Sequence, residues 1–419
     1  MPCLLKARTP SSPGIVTFTS NEAMTGIVAR SARLRASLTD ATRRGEWLFG
    51  VHIQGNYSWL EAWPDWDWQA FVMWPDPNAR FISRLPADKR LGLNCVSFLA
   101  EPPWESPPER LLDICIVSRP SKIKRIYESL LIVRGLLDKR PDLKVAFVVP
   151  DPRKMEWGAR SYKRLNLDRR FFELPLKMFS ATELKRISFL AAASESFGRF
   201  PVTSELVAEL VARSRFLLLT SHSEGTPRVL AEALTLGTPC IVSRSLQSGI
   251  EGDFDETNSL LIDDNIEVAV RQIDEALTDY GRFAVDVPRF RQQYCAKYRE
   301  EELKQFLGLR LQERGYSVDG EWFLHDLPQR LCGHGQKLDA QFEYNDALFH
   351  EWLRRVSAGD PYDEDFVIGD LADRDKPTLL ERGHITLRAL RSPVRSAGRR
   401  MRPMLRRFQV FRAVGSEQT

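Results

Sequence analysis

Two carboxylates stand eight positions apart in SHSEGTPRVLAEALTLGTPC, residues 221–240. Glu224 sits in a polar stretch. Glu232 sits among Leu230, Ala231, Ala233 and Leu234. A carboxylate taken from water needs donors, because an unpaired buried charge is costly. The vicinal hydroxyls of a ribose offer two such donors to Glu232. Glu224 could accept from the hydroxyls of a sugar. Between the two acids, Ser223, Gly225 and Thr226 can offer backbone N–H groups. A helix beginning at Pro227 adds the positive end of its dipole, and both features suit phosphate. Ribose, diphosphate and sugar in a row describe a nucleotide-sugar. The plain alternative is structural ion pairing with Arg228 or Arg244.

The elements around the two acids must then hold them at one place. RFLLLTS upstream reads as a buried strand and PRVLAEALTLG as a helix, with Thr226 as N-cap, Pro227 in the first turn and Gly237 as the stop. TPCIVS reads as the next strand. LLDICIVS and LKVAFVVP are further apolar strands, LKRISFLAA is another candidate, and KRIYESLLIVRGLLDKR, SELVAELVARS and NIEVAVRQIDEALTDY carry helical periodicity. Strands apolar throughout, alternating with helices, predict a parallel sheet covered on both faces. In such sheets ligands bind beyond the carboxyl ends of the strands. Closer to the N-terminus, GEWLFGVHIQG, QAFVMW and LNCVSFLA read as short strands, and residues 281–310 as helical.

The 419 residues allow two or three domains, and a charged content of 28% is ordinary for a soluble globular protein. No stretch approaches the ~20 apolar residues of a membrane span. MPCLLKARTPSSPG lacks the apolar core of a secretory signal. Six scattered cysteines without CxxC spacing argue against a disulfide framework and for a reducing compartment. Cys332 and His334 in LCGHG are two candidate metal ligands without a second pair. The net charge of +4 is uneven: His384 to Val414 contains nine arginines and no acid, so the remainder is net negative. Apolar residues from Leu387 to Phe411, interleaved with Arg388–Arg412, suit a tail lying on an anionic membrane surface, in preference to nucleic acid.

SEGTPRVLAEALTLGTPCIVS resembles the signature of family-4-type glycosyltransferases (glycosyl transferases group 1) of the GT-B fold, and Glu224 and Glu232 fall on its Glu-x7-Glu acids. IVSRPSKIKRI resembles the strand and turn that open the family's nucleotide domain, with Ser118 where a glycine is usual. SGIEGDFDETNSLLI resembles the family's glycine-rich loop, with only Gly249 and Gly252 in it. The resemblance implies an α/β protein with two Rossmann-like domains. Residues 1–110 would form a shortened acceptor-side domain, 111–280 the nucleotide-sugar domain, 281–380 a helical and mixed extension, and 381–419 the basic tail. It also implies transfer of a hexose-type sugar from a UDP- or GDP-type donor to a glycan or lipid-linked acceptor, with retention of configuration and without metal or other cofactor. Expected catalytic residues are Glu224, Arg119 and Lys124, the two cations holding the diphosphate, with Arg125 and Lys122 as competitors for that role. Glu232, Ser223, Gly225, Thr226, Pro227, Ser248 and Gly249 are expected at the donor. His52 and Trp59 are acceptor-side candidates. Same-fold nucleotide-sugar epimerases and synthases, and an inactive nucleotide-sugar-binding module, remain alternatives. The expected location is the cytoplasm, peripheral on the inner face of the membrane, with no nucleic-acid partner.

Overall fold

Every residue of GIVTFT, WLFGVH and QAFVM is buried, the mark of strands covered on both faces. They are β2 (Gly14–Thr19), β3 (Trp47–His52) and β4 (Gln69–Met73) of a five-stranded sheet in the order β1-β2-β3-β4-β5. The edge strands are β1 (Cys3–Lys6), antiparallel to β2, and β5 (Arg90–Leu91), parallel to β4. A helix, α1 (Ala32–Arg43), connects β2 to β3. In this computed structural model the described residues are 3–24, 32–54, 60–149, 171–190 and 203–332, apart from 77, 103, 105–107, 121, 172 and 325–326. The basic tail, the LCGHG histidine, Trp59 and most of 311–380 beyond Cys332 therefore lie outside the described residues.

One expectation for this half is corrected. LNCVSFLA is not a strand. Asn94 accepts from the Val96 N–H, Ser97 returns a contact to the Asn94 N–H, and this capping box winds Cys95–Phe98 into a 3-10 turn. Trp63, Trp68 and Trp74 pack into the core of this half, each at most 2% exposed.

The second sheet holds six parallel strands: β6 (Leu112–Val117), β7 (Val145–Val148), β8 (Ile187–Leu190), β9 (Ser214–Leu219), β10 (Cys240–Ser243) and β11 (Ser259–Ile262). Their order, β11-β10-β9-β6-β7-β8, is the doubly wound order 3-2-1-4-5-6 counted within this half. Alternate residues serve opposite faces. Ile114 and Ile116 pack with α2 (Ile126–Lys139) and α5 (Ile266–Thr278). Cys115 and Val117 pack with α3 (Ser204–Ala212) and α4 (Arg228–Thr235), in a core that continues into the first sheet. The helix after β9 begins one residue later than expected. Pro227 is its N-cap and Thr226 caps nothing. Gly237 ends it with φ +74°, a conformation that L side chains rarely adopt.

After α5 the chain returns to the first sheet through α6 (Val287–Tyr294) and α7 (Ala296–Gln312). Leu99 donates to the Tyr294 carbonyl at 2.8 Å, and Ala296 donates to the Leu99 carbonyl at 2.9 Å. Farther on, Ala7 donates to Glu321 and Phe323 to Leu5. The extension thus ties both halves of the molecule together. No helix among the described residues is long and apolar enough to cross a membrane.

Candidate functional site

In a doubly wound sheet the connections leave β6 and β9 toward opposite faces, which opens a crevice at their carboxyl ends. Two loops border it, 118–125 after β6 and 220–227 after β9. Thr220 ties them together: its hydroxyl donates to the Arg125 carbonyl at 2.8 Å and lies 2.9 Å from the Ser129 hydroxyl.

Three of the expected residues converge at this crevice. The Lys124 ammonium donates to Glu224 Oε2, forming an ion pair. The Glu224 side chain is 8% exposed, and its second oxygen, Oε1, is buried without a hydrogen-bond partner among the described residues. Arg119 belongs to the same electrostatic group. Burial pulls its guanidinium below the ordinary arginine range, while the Glu224 charge pulls it back up. Glu232 differs from its expectation. It is half-buried, not enclosed, and it accepts from Arg228 Nε at 2.7 Å across one helical turn.

The loop after β9 is laced to the loop after β10. Ser223 bridges Gln247, Glu224 N–H donates to the Gln247 carbonyl at 2.9 Å, and Gln247 N–H donates to the His222 carbonyl at 2.8 Å. Gly249 N–H reaches the Gly225 carbonyl at 3.2 Å, and Ser248 N–H donates to the Glu251 carboxylate. Both N–H groups of Ser248 and Gly249, two residues expected at the donor, are thus engaged within the protein. Gly249 also lies against the first half of the molecule. A Cβ there would stand 3.0 Å from a Trp74 ring carbon and 3.3 Å from Pro75.

Of the competing cations, Arg125 is committed elsewhere. It occupies the left-handed region at φ 50° as N-cap of α2. Its guanidinium donates to Glu128 at 3.1 Å and to Asp264 at 2.9 Å, and it contacts His222 Nε2. The side chain of Lys122 lies outside the described residues. Asp264 gathers Arg125, His222, Ser243 and Ser245, the last three at 2.7–2.8 Å. Burial pushes the Asp264 carboxyl up, but the hydrogen bonds of the two serines and the neighbouring His222 and Arg125 hold it below its usual range. His222 is pulled down by burial and by Arg125. His52 is an interior residue, not a cleft residue: it is fully buried, 3.1 Å from the Thr17 hydroxyl and 2.7 Å from the Leu331 carbonyl.

Three features were not anticipated. Asn94 donates to the Thr226 hydroxyl at 2.7 Å, a polar link from the first half to the site loop. Its N-x-x-S capping pattern was readable; its long-range partner was not. The node at Asp264 and the grip of Gln293 and Tyr294 on Asp253 join residues 40 or more positions apart, except for the nearby Ser243 and Ser245.

Residues 199–287 match the family described as glycosyl transferases group 1. This is the family that the Glu-x7-Glu stretch resembles. No curated protein sequence matches the chain. Among solved structures, the chain is similar to TarM at 14% identity and a TM-score of 0.45, over 70% of this chain and 54% of that one. It is similar to the pneumococcal O-GlcNAc transferase GtfA, solved with UDP and GlcNAc, at 15% identity and a TM-score of 0.39, over 79% and 55%. A sucrose-phosphate synthase from Thermosynechococcus elongatus is similar at 15% identity and a TM-score of 0.44, over 64% and 70%. The chain spans about half the length of the first two.

Proposed function

We propose that the protein is a GT-B-type glycosyltransferase that moves a hexose-type sugar from a UDP- or GDP-type donor to a glycan or lipid-linked acceptor, with retention of configuration. The observation that carries this reading is the convergence of Arg119, Lys124 and Glu224 at the β6/β9 crevice, beside the start of α4. The segment matched to group 1 glycosyltransferases contains both motif acids.

The proposed chemistry follows from the charges. As the bond between sugar and diphosphate lengthens, negative charge grows on the departing phosphate oxygens. Lys124 and Arg119 would stabilise it, and a cation worth more to the transition state than to the ground state lowers the barrier. Glu224 Oε1, buried without a partner among the described residues, would accept from a hydroxyl of the donor sugar. Glu232, one turn into α4, would accept from the ribose, exchanging its Arg228 hydrogen bond. In retention by front-face attack the departing diphosphate itself can take the proton of the acceptor hydroxyl, so this site needs no separate base.

Calorimetry with UDP and GDP, followed by a donor-turnover assay, tests the reading. Binding of one nucleotide, weakened in Glu232→Gln, with turnover lost in Glu224→Gln, is expected. No nucleotide binding by the wild-type chain would refute it. Binding without turnover would favour a donor-binding module.

A further inference from the structure

Tyr294 touches both halves of the molecule. Its backbone carbonyl accepts from the Leu99 N–H of the first half at 2.8 Å. Its side chain reaches the second half, where the hydroxyl donates to Asp253 Oδ2. Gln293, its chain neighbour, donates to Asp253 Oδ1 at 2.8 Å. The last two residues of α6 thus take both oxygens of one carboxylate, in the loop after β10. The Tyr294 ring is 2% exposed and stacks on Phe290, with ring centroids 6.4 Å apart. Burial, and then the adjacent Asp253 charge, pushes its hydroxyl above the ordinary tyrosine range, so the phenol keeps its proton and stays the donor.

The gripped loop has one buried side chain: of residues 247–253, only Ile250 is buried. Segments with few apolar contacts open locally at low cost, so polar anchors matter here. Asn258 donates to the Asp253 carbonyl at 2.9 Å, and the Asp253 N–H donates to the Ile250 carbonyl at 3.1 Å, closing the 3-10 turn Glu251–Asp253. The other end of the same loop fixes the donor crevice. The Glu224 N–H donates to the Gln247 carbonyl at 2.9 Å, the Gln247 N–H to the His222 carbonyl at 2.8 Å, and the Gly249 N–H to the Gly225 carbonyl at 3.2 Å. A shift of residues 247–249 would therefore move Glu224 and the residues beside it.

We propose that Tyr294, with Gln293, is a positioning residue for Glu224: it holds Asp253 from a helix already bonded to the first half, and so fixes the 247–253 loop and the placement of the crevice carboxylate. The proposal rests on the donor reading of Glu224, but the link itself can be measured without nucleotide.

Hydrogen exchange of the full chain tests the link. Tyr294→Phe keeps the ring and removes the hydroxyl. Exchange about tenfold faster or more is expected in peptides spanning 247–253 and 220–226, with the amides of β6 and β7 unchanged. Asp253→Asn keeps an acceptor oxygen for the Tyr294 hydroxyl and should stay within about threefold of wild type, whereas Asp253→Leu should match Tyr294→Phe. Should Tyr294→Phe not fold, Gln293→Met, at a part-exposed position, is expected to speed the same two segments. Turnover of a panel of UDP- and GDP-hexoses is the second readout. In Tyr294→Phe, kcat should fall about tenfold, with the UDP or GDP Kd within about threefold. Adding Tyr294→Phe to Glu224→Gln should bring no further loss, because the two act as one unit. Faster exchange confined to 247–253, unchanged exchange in both segments, or kcat losses that add would overturn the positioning role. If no hexose of the panel is turned over, exchange decides alone. A wild type that binds neither UDP nor GDP would instead remove the donor reading beneath the proposal.

Discussion

Replacing Glu224 by Gln separates two roles of one carboxylate. Glu224 pairs with Lys124 and opposes the burial of Arg119, so its charge competes with any diphosphate for the same two cations. Lys124 is 27% exposed and Glu224 8%, which places the pair between the surface and buried regimes. Exposed pairs are worth about 0.2–1 kcal/mol, and truncating a fully buried one costs about 3–5 kcal/mol. A competing interaction near the upper surface value, about 1 kcal/mol, corresponds to about a fivefold change in an equilibrium constant. Glu224→Gln should therefore bind UDP or GDP as well as wild type, or up to about fivefold more tightly. Turnover should move the other way. A single lost contact to a transition state typically costs about 10²–10³ in kcat, and a neutral amide at Glu224 loses the charge that would orient the sugar hydroxyl. The assay is calorimetric Kd beside steady-state turnover, with a melting curve as a folding control. A nucleotide Kd weakened tenfold or more, or a kcat within twofold of wild type, would refute the reasoning. The first would mean that Glu224 holds the nucleotide. The second would mean that it does not meet the sugar.

Other outcomes follow from the same contacts. Arg228→Met removes only a half-exposed i,i+4 partner of Glu232, worth a few tenths of a kcal/mol, so nucleotide affinity should stay within about threefold; a tenfold loss by calorimetry would make Arg228 itself a ligand. Gly249→Ala forces a methyl against Trp74 and Pro75 and should cost about 1–3 kcal/mol in chemical denaturation, whereas Gly252→Ala should be near neutral; equal costs would contradict the packing described. Gly237→Ala places a Cβ at φ +74° and should lose about 1–2 kcal/mol, read as a lower denaturation midpoint. His222 has its folded pKa lowered by burial and by Arg125. The unfolded chain therefore takes up its proton first, and stability is lost as pH falls below about 6.5, the unfolded value. Melting temperatures measured from pH 7.5 to 5.5 should fall less steeply in His222→Gln, and parallel curves would exclude the histidine as the cause.

Local patterns carried much of the second half of the molecule. The apolar runs from Leu112 to Val117 and from Ser214 to Leu219, and the capping Asn265 before α5, are visible in a short window because strand burial and helix caps are local properties. The convergence of Arg119, Lys124 and Glu224 came from motif resemblance, and the strand order supplied its physical reason. What failed was of two kinds. Cys95–Phe98 has strand-like composition, but a side-chain cap four residues long overrides it. The environments of His52, Ser248 and Gly249 depend on partners that composition cannot reveal: the Leu331 carbonyl lies 279 positions from His52. The pairing of Glu232 with Arg228, one turn away, is the alternative that the i,i+4 spacing offered.

Both acids of the Glu-x7-Glu motif are paired with cations in the structure, Glu224 with Lys124 and Glu232 with Arg228, but the pairs are not equivalent. The Arg228 pair is an i,i+4 contact on one helix, so it can open by side-chain rotation alone and leave the backbone undisturbed. The Lys124 pair joins the loops after β6 and β9 across a crevice whose backbone is fixed by Thr220 and whose neighbour Arg125 is held in a left-handed conformation. Strain of that kind persists only where surrounding contacts over-determine it, and here Glu128, Asp264 and His222 do so. Arg125 is thereby kept away from the crevice, and Lys124, its chain neighbour, is directed into it. A diphosphate entering between the loops would then take Lys124 from Glu224 without moving the turn. The carboxylate it releases would be left with two acceptor oxygens beside the donor sugar. In the proposed donor complex the Asp264 node would act without touching substrate: by holding Arg125 it would leave Lys124, the adjacent cation, to face the phosphate.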